Sequence, residues 1–242
     1  MKISTTLYFD RANKQLGDVQ GELTKTQEQL STGKQIVKPS DSPDKASLVT
    51  RLESELSRQA SYQNTLKSVN TRLQTEETAL KNTSDVMTRI KELAIQAASD
   101  NLSSADRQSI ALEINSLRDQ VLSLANTQDT NGNYLFSGSR VGSPAFGKDA
   151  KGQLVYQGDE SRMKVAVGDN RRMNLNMPGS DAFVKVIRDD GKGNKVGIGF
   201  FQAIDDLANA VKNSDHNQMQ RGIAEIDKIG RAHVWTPVTV NN

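Results

Sequence analysis

Between Pro43 and Ala98 the chain repeats a seven-residue step through Leu52, Gln59, Leu66, Leu73, Leu80, Met87 and Ala94. Leu56, Val69, Ile90 and Ala97 fill part of a second row. Such a spacing keeps one stripe turned toward a partner helix along its whole length. Neither Pro nor Gly interrupts the run between Pro43 and Gly132. The pattern predicts one helix of about 55 residues, roughly 80 Å long. It is either a long bundle helix or, given its uniformly polar outward faces, a strut. Its start is marked by Ser42, a good cap, by Pro43, which fits the first helical position, and by Asp44, favourable near the positive end of the helix dipole.

Ahead of it, residues 7–31 read as a helix whose seam is Phe9, Ala12, Leu16, Val19, Leu23, Thr26 and Leu30, in steps of three and four. Gly17 and Gly21 each weaken it by roughly 1 kcal/mol relative to Ala. A helix of this length with so thin a seam is marginal alone and needs a partner. Gly33 suits a left-handed C-cap, and Gln35–Lys38 is extended because Pro39 follows. Beyond the long helix, Ser103-Ser104-Ala105-Asp106 resembles a capping box. It predicts a third helix carrying Ile110, Ile114, Leu117, Val121 and Leu124, turned back antiparallel by the short link.

At Asn131-Gly132 the period changes from helical to alternating. Tyr134–Phe136, Leu154–Tyr156, Met163–Val167 and Met173–Met177 read as short strands of an antiparallel insertion over residues 134–199. Helical pattern returns at Phe201, Ile204, Leu207, Ala208 and Val211, and Ser214 is placed to cap a last helix with Met219, Ile223 and Ile226. The expected fold is mainly α with a β insertion: an elongated antiparallel helical bundle or coiled coil plus a small antiparallel β domain. Its segments are 1–42 (N-terminal helix and connector), 43–133 (long-helix shaft), 134–199 (β insertion) and 200–228 (returning helices).

Composition narrows the chemistry. The chain has 242 residues with a formal net charge of +2, and its basic residues alternate with acids and lack stacked aromatics. Nucleic acid and anionic membranes are therefore not expected partners. There is no Cys, and the two His lie far apart without ligand spacing, so neither thiolate, metal nor Ser–His chemistry has material. Gly142–Lys148 has phosphate-loop spacing, but Asp149 follows where Ser or Thr is needed and no helix pattern continues, so a turn is expected. No catalytic, cofactor or metal site is expected. The first residues lack a secretory signal, and no apolar run reaches membrane-spanning length.

Residues 229–239, Ile-Gly-Arg-Ala-His-Val-Trp-Thr-Pro-Val-Thr, leave the helical period and resemble a translated sequencing adapter with a stop codon read as Trp. Residues 229–242 are accordingly expected to be a non-native tail, in which His233 and Trp235 carry no function, and the native C-terminal helix to be cut short.

Two stretches resemble the bacterial flagellin-like axial proteins. The first runs Leu30-Ser31-Thr32-Gly33-Lys34, then Pro39-Ser40-Asp41-Ser42-Pro43 with Ala46-Ser47; Ile90–Ala97 resembles the next shared segment. The second, Leu124 to Gly138, includes Asn126, Thr127, Asn131, Gly132, Tyr134, Phe136, Ser137 and Gly138, and is more similar to the family's hook–filament junction members than to the filament subunit. The resemblance covers residues 1–228. It implies a structural, non-enzymatic component of the flagellum, a junction adaptor that assembles as a homo-oligomeric ring through coiled-coil terminal helices. Phe9, Leu16, Val19, Leu23 and Leu30 would be the assembly seam. Implied partners are a neighbouring hook-associated protein, flagellin and an export chaperone. The implied location is extracellular, reached through the flagellar type III apparatus without a cleavable signal. The alternatives are a flagellin filament subunit, a cytoplasmic coiled-coil scaffold and, least, an enzyme, which would need a clustered polar pocket.

Overall fold

The computed structural model describes residues 2–183, 185–189 and 195–234. They fall into two compact units, 1–61 and 62–242, with the boundary inside a helix. In the first unit, helix α1 (Lys2–Thr32) leads through a single 3-10 turn (Pro39–Asp41) to the start of α2 (Pro43–Ala97). Gly33 has φ +66°, the left-handed conformation that ends α1. The connector is tied to that end: Gln29 Nε2 donates to the Gln35 carbonyl at 2.6 Å, and Lys38 pairs with Glu28 at 3.0 Å. Among the described residues, no buried apolar side chain precedes Val69.

The core therefore lies entirely in the second unit. There α3 (Ser104–Ala125) is capped by Ser103, whose hydroxyl accepts the Asp106 N–H while the Asp106 side chain accepts the Ser103 N–H. Arg107 Nε donates to the Ala97 carbonyl at 3.0 Å and Arg89 pairs with Glu113 at 3.0 Å, so α3 runs antiparallel to α2. α5 (Phe200–Lys212) presents Phe201, Ile204, Leu207 and Val211 on one buried face. It packs most closely against α3 and against α6 (His216–Val234). Full burial of such a side chain contributes about 1.5–3 kcal/mol. The α5–α6 approach depends on Gly222, where an added Cβ would lie 2.8 Å from Leu207 Cδ1. Arg118–Asp205 links α3 to α5, and Lys91–Asp227 links α2 to α6.

Between α3 and α5 the described residues form three separate two-stranded antiparallel sheets. They are β1 (Phe146–Lys148) with β2 (Leu154–Tyr156), β3 (Lys164–Ala166) with β4 (Arg172–Asn174), and β5 (Val186–Asp189) with β6 (Lys195–Ile198). A single turn, α4 (Gly179–Ala182), lies between the second and third. An aromatic cluster joins this region to the helices. The Phe183 ring meets Phe136, Phe146 and Phe200 edge-on at 5.5, 5.1 and 5.3 Å, an arrangement the ring quadrupoles favour.

Five expectations are corrected. The buried rows of α2 are Val69, Glu76, Thr83, Ile90 and Ala97, with Arg72, Ala79, Val86 and Leu93 between them. The row from Leu52 through Leu66 starts exposed and is buried only at Met87 and Ala94, because the core begins late and its seam admits polar side chains. Tyr134–Phe136 is not a strand: Tyr134 forms one isolated bridge to Gln128, while Leu135 and Phe136 are drawn into the core. Gly142–Lys148 is no lone turn, since Phe146–Lys148 is strand β1. Ser214 does not cap α6; it has φ +56°, and Asp215 accepts the Gln218 N–H at 3.0 Å. Finally, residues 229–234, expected to leave the helical period, remain in α6. It continues to Val234 with Ile229 buried in the core, whose packing outweighs the roughly 1 kcal/mol helix penalty of a glycine. Residues 235–242 of the expected tail lie outside the described residues.

Candidate assembly interface

Two sets of residues stand out, one on each unit. The first is the face of α1. Phe9, Leu16, Val19, Leu23 and Leu30 are all exposed, from 57% at Leu23 to 86% at Leu30. Leu7 and Tyr8 are exposed beside Phe9, with the Tyr8 and Phe9 rings edge-on at 6.2 Å. Leu48, Val49, Leu52 and Leu56 are exposed on the first turns of α2. Steps of three and four place the α1 residues on one side of the helix. The hydroxyls of Thr24, Thr26 and Thr32 donate to carbonyls one turn back. An uncovered apolar stripe on such a helix is suited to docking another apolar helix face.

Beside it, Ser31, Thr32, Gly33, Pro39 and Ser40 are surface residues of the connector. Asp41 closes the 3-10 turn. Pro43 opens α2, and the Ser42 carbonyl accepts the Ala46 N–H at 2.9 Å. This motif sets the course of the chain between two helices rather than a reactive centre.

The second set, Asn126 to Gly138, is a folded lock. Asn126 holds Phe146 by two hydrogen bonds, and Leu135 N–H donates to the Thr127 carbonyl at 2.9 Å. The Asp129 carboxylate accepts from the backbone N–H groups of Asn131 and Asn133 at 2.8 and 3.0 Å and from Arg72 Nη1 at 2.9 Å. Burial disfavours its charge, but those donors and the guanidinium prevail and hold its carboxyl below the usual range. Gly132 turns the chain at φ +79°. Arg72 Nη2 donates onward to the Leu135 carbonyl at 3.2 Å. At the far end Asp159 accepts from the Ser139 hydroxyl and from the N–H groups of Ser139 and Ser161, which hold it well below the usual range. Tyr156 Oη lies 2.7 Å from the Asp159 carbonyl oxygen and 3.0 Å from that of Phe136.

Arg72, Asp129, Tyr156 and Asp159 were not legible as a site. The only signal was Asp129 two residues before Asn131, the spacing of an Asx turn. Among the described residues no group of three or more His, Asp or Glu side chains could hold a metal, and no helix is long and apolar enough to cross a membrane.

Residues 3–140, which hold both sets, match the bacterial flagellin N-terminal helical region. The chain belongs to that flagellin family. Among its relatives, flagellar hook-associated protein 3 of Escherichia coli is 29% identical over 239 residues, covering 96% of this chain and 74% of that protein. A flagellin of Clostridium tyrobutyricum is 27% identical over 142 residues, 59% of this chain and 38% of that protein. The crystal structure of a flagellar hook-associated protein 3 from Legionella pneumophila shares the fold, with a TM-score of 0.69 at 18% identity over 77% of this chain and 88% of that one. The flagellin-family fold here is thus mainly helical with small antiparallel sheets, and the relatives are flagellar proteins.

Proposed function

We propose that this flagellin-family chain is a structural subunit of the bacterial flagellum that joins hook to filament. The observation carrying the reading is where similarity stops. The flagellin alignment covers 59% of the chain, whereas the hook-associated protein 3 alignment covers 96% and so must run through the hairpins and into α5 and α6. The exposed stripe of α1 is the assembly surface, and the locked Asn126–Gly138 turn fixes the hairpin region on the helices. Subunits associate in a ring, contacting a neighbouring hook-associated protein on one side and flagellin on the other. A chaperone covers the apolar stripe before export through the flagellar type III apparatus, and the subunit acts outside the cell without enzymatic activity.

Deletion of the gene is the test. Cells lacking it should build hooks, release unpolymerised flagellin into the medium and regain filaments when the gene is restored. Normal filaments in the deletion strain would refute the junction role.

A further inference from the structure

Two carboxyls and one guanidinium meet where the Asn126–Gly138 turn sits on α2. Arg72 is 8% exposed, Glu76 is 3% exposed, and the Asp129 side chain is 15% exposed. One guanidinium cannot neutralise two carboxylates, and an ionised carboxylate without hydrogen bonds is costly to bury. The geometry separates the two acids. Asp129 is surrounded by donors and keeps its charge. Glu76 Oε1 lies 3.5 Å from Arg72 Nε without hydrogen-bond alignment, and both atoms are buried with no hydrogen-bond partner. We propose that Arg72, Glu76 and Asp129 form a proton-linked latch that seats the turn on α2, with the proton resident on Glu76 while the latch is closed.

The surroundings of Glu76 agree. Its own helix supplies Arg72, the turn supplies Asp129 beyond that guanidinium, and the segment after β4 supplies the Met177 backbone N–H. Burial outweighs the attraction of Arg72 and the Met177 N–H, and the Glu76 carboxyl is pushed up to about 8. A cavity of about 560 Å³ between α2, the turn and the residues flanking β3 and β4 is lined by Arg72 and Asp129 but not by Glu76, which lies behind them at 3% exposure.

The sign follows. Between the ordinary carboxyl value of 4.5 and about 8, the folded chain holds a proton that the unfolded chain has released. The stability from this proton is complete below the ordinary value and is lost as pH rises to about 8. One proton changes the unfolding constant by about tenfold per pH unit.

The test is urea unfolding of the 242-residue chain at intervals from about pH 5 to 8, followed by far-UV circular dichroism, for wild type and Glu76→Gln. The unfolding constant of the wild type should rise with pH relative to that of the variant, by about tenfold per unit at full linkage. Carbon-13 NMR of the Glu76 carboxyl in the wild type supplies the second readout and decides alone if the variant does not fold. A titration well above the ordinary value supports the latch. Equal pH slopes in the two proteins, or an ordinary carboxyl titration at Glu76, overturns it.

Discussion

Asn126 and Phe146 are joined by two reciprocal hydrogen bonds: Asn126 Nδ2 donates to the Phe146 carbonyl and Phe146 N–H donates to Asn126 Oδ1, each at 2.9 Å. The amide thereby does for the first residue of β1 what a neighbouring strand would do. It ties the C-cap of α3 to a hairpin twenty residues on. Asn126→Ala would leave both Phe146 groups without their partner. The expected loss is about 2–4 kcal/mol, from two partly buried hydrogen bonds, read as a lower urea midpoint with an unchanged m-value.

Gly138 has φ +71°, and an added Cβ would stand 2.2 Å from Asp159 Oδ1 and 2.3 Å from its carbonyl oxygen. Gly138→Ala should cost about 2–4 kcal/mol, from left-handed backbone strain and forced displacement of Asp159 together. Gly132→Ala is the contrast. It shares the positive φ but has nothing within 4 Å, so only the backbone cost applies. Thermal unfolding of the two variants side by side should rank them in that order.

Gly17 and Gly21 lie in α1 with open space around them. Replacing both with Ala should favour the helix by about 0.5–1 kcal/mol each without any new contact. In the monomer, amide hydrogen exchange over α1 should be fast in wild type, because each exposed apolar side chain forgoes about 1.5–3 kcal/mol of burial. It should slow in the double variant. Strong wild-type protection at concentrations too low for association would show that α1 needs no partner.

Asp129 sets the acid limb of stability. Its carboxyl lies below the ordinary range in the folded chain, so the stability it contributes is present above the ordinary carboxyl value and is lost as pH falls through the depressed one. Asp129→Asn keeps an acceptor for the turn but removes the charge facing Arg72. Its unfolding midpoint should be lower than wild type at neutral pH, and the difference should shrink as pH falls below about 4. A constant gap across that range would show that the carboxylate charge plays no part.

Much of the architecture was written locally. Pro43 marks a helix start because its missing N–H and fixed φ suit the first position, and the Ser103–Asp106 box because its groups meet backbone donors within one turn, wherever the rest of the chain goes. Leu154–Tyr156 alternates between turn residues and pairs as a hairpin for the same local reason. The α1 stripe, too, follows from period alone. Tertiary structure decided which row of α2 faces inward. Arg72 and Glu76 read as solvated positions until Asp129, 57 residues after Arg72, is brought against the Arg72 guanidinium. Leu135 and Phe136 look like strand, yet the aromatic cluster draws them into the core and the Arg72 guanidinium caps the Leu135 carbonyl. Hydrogen bonds within a turn can be read from spacing, whereas burial of a charge depends on a partner whose distance along the chain no period encodes.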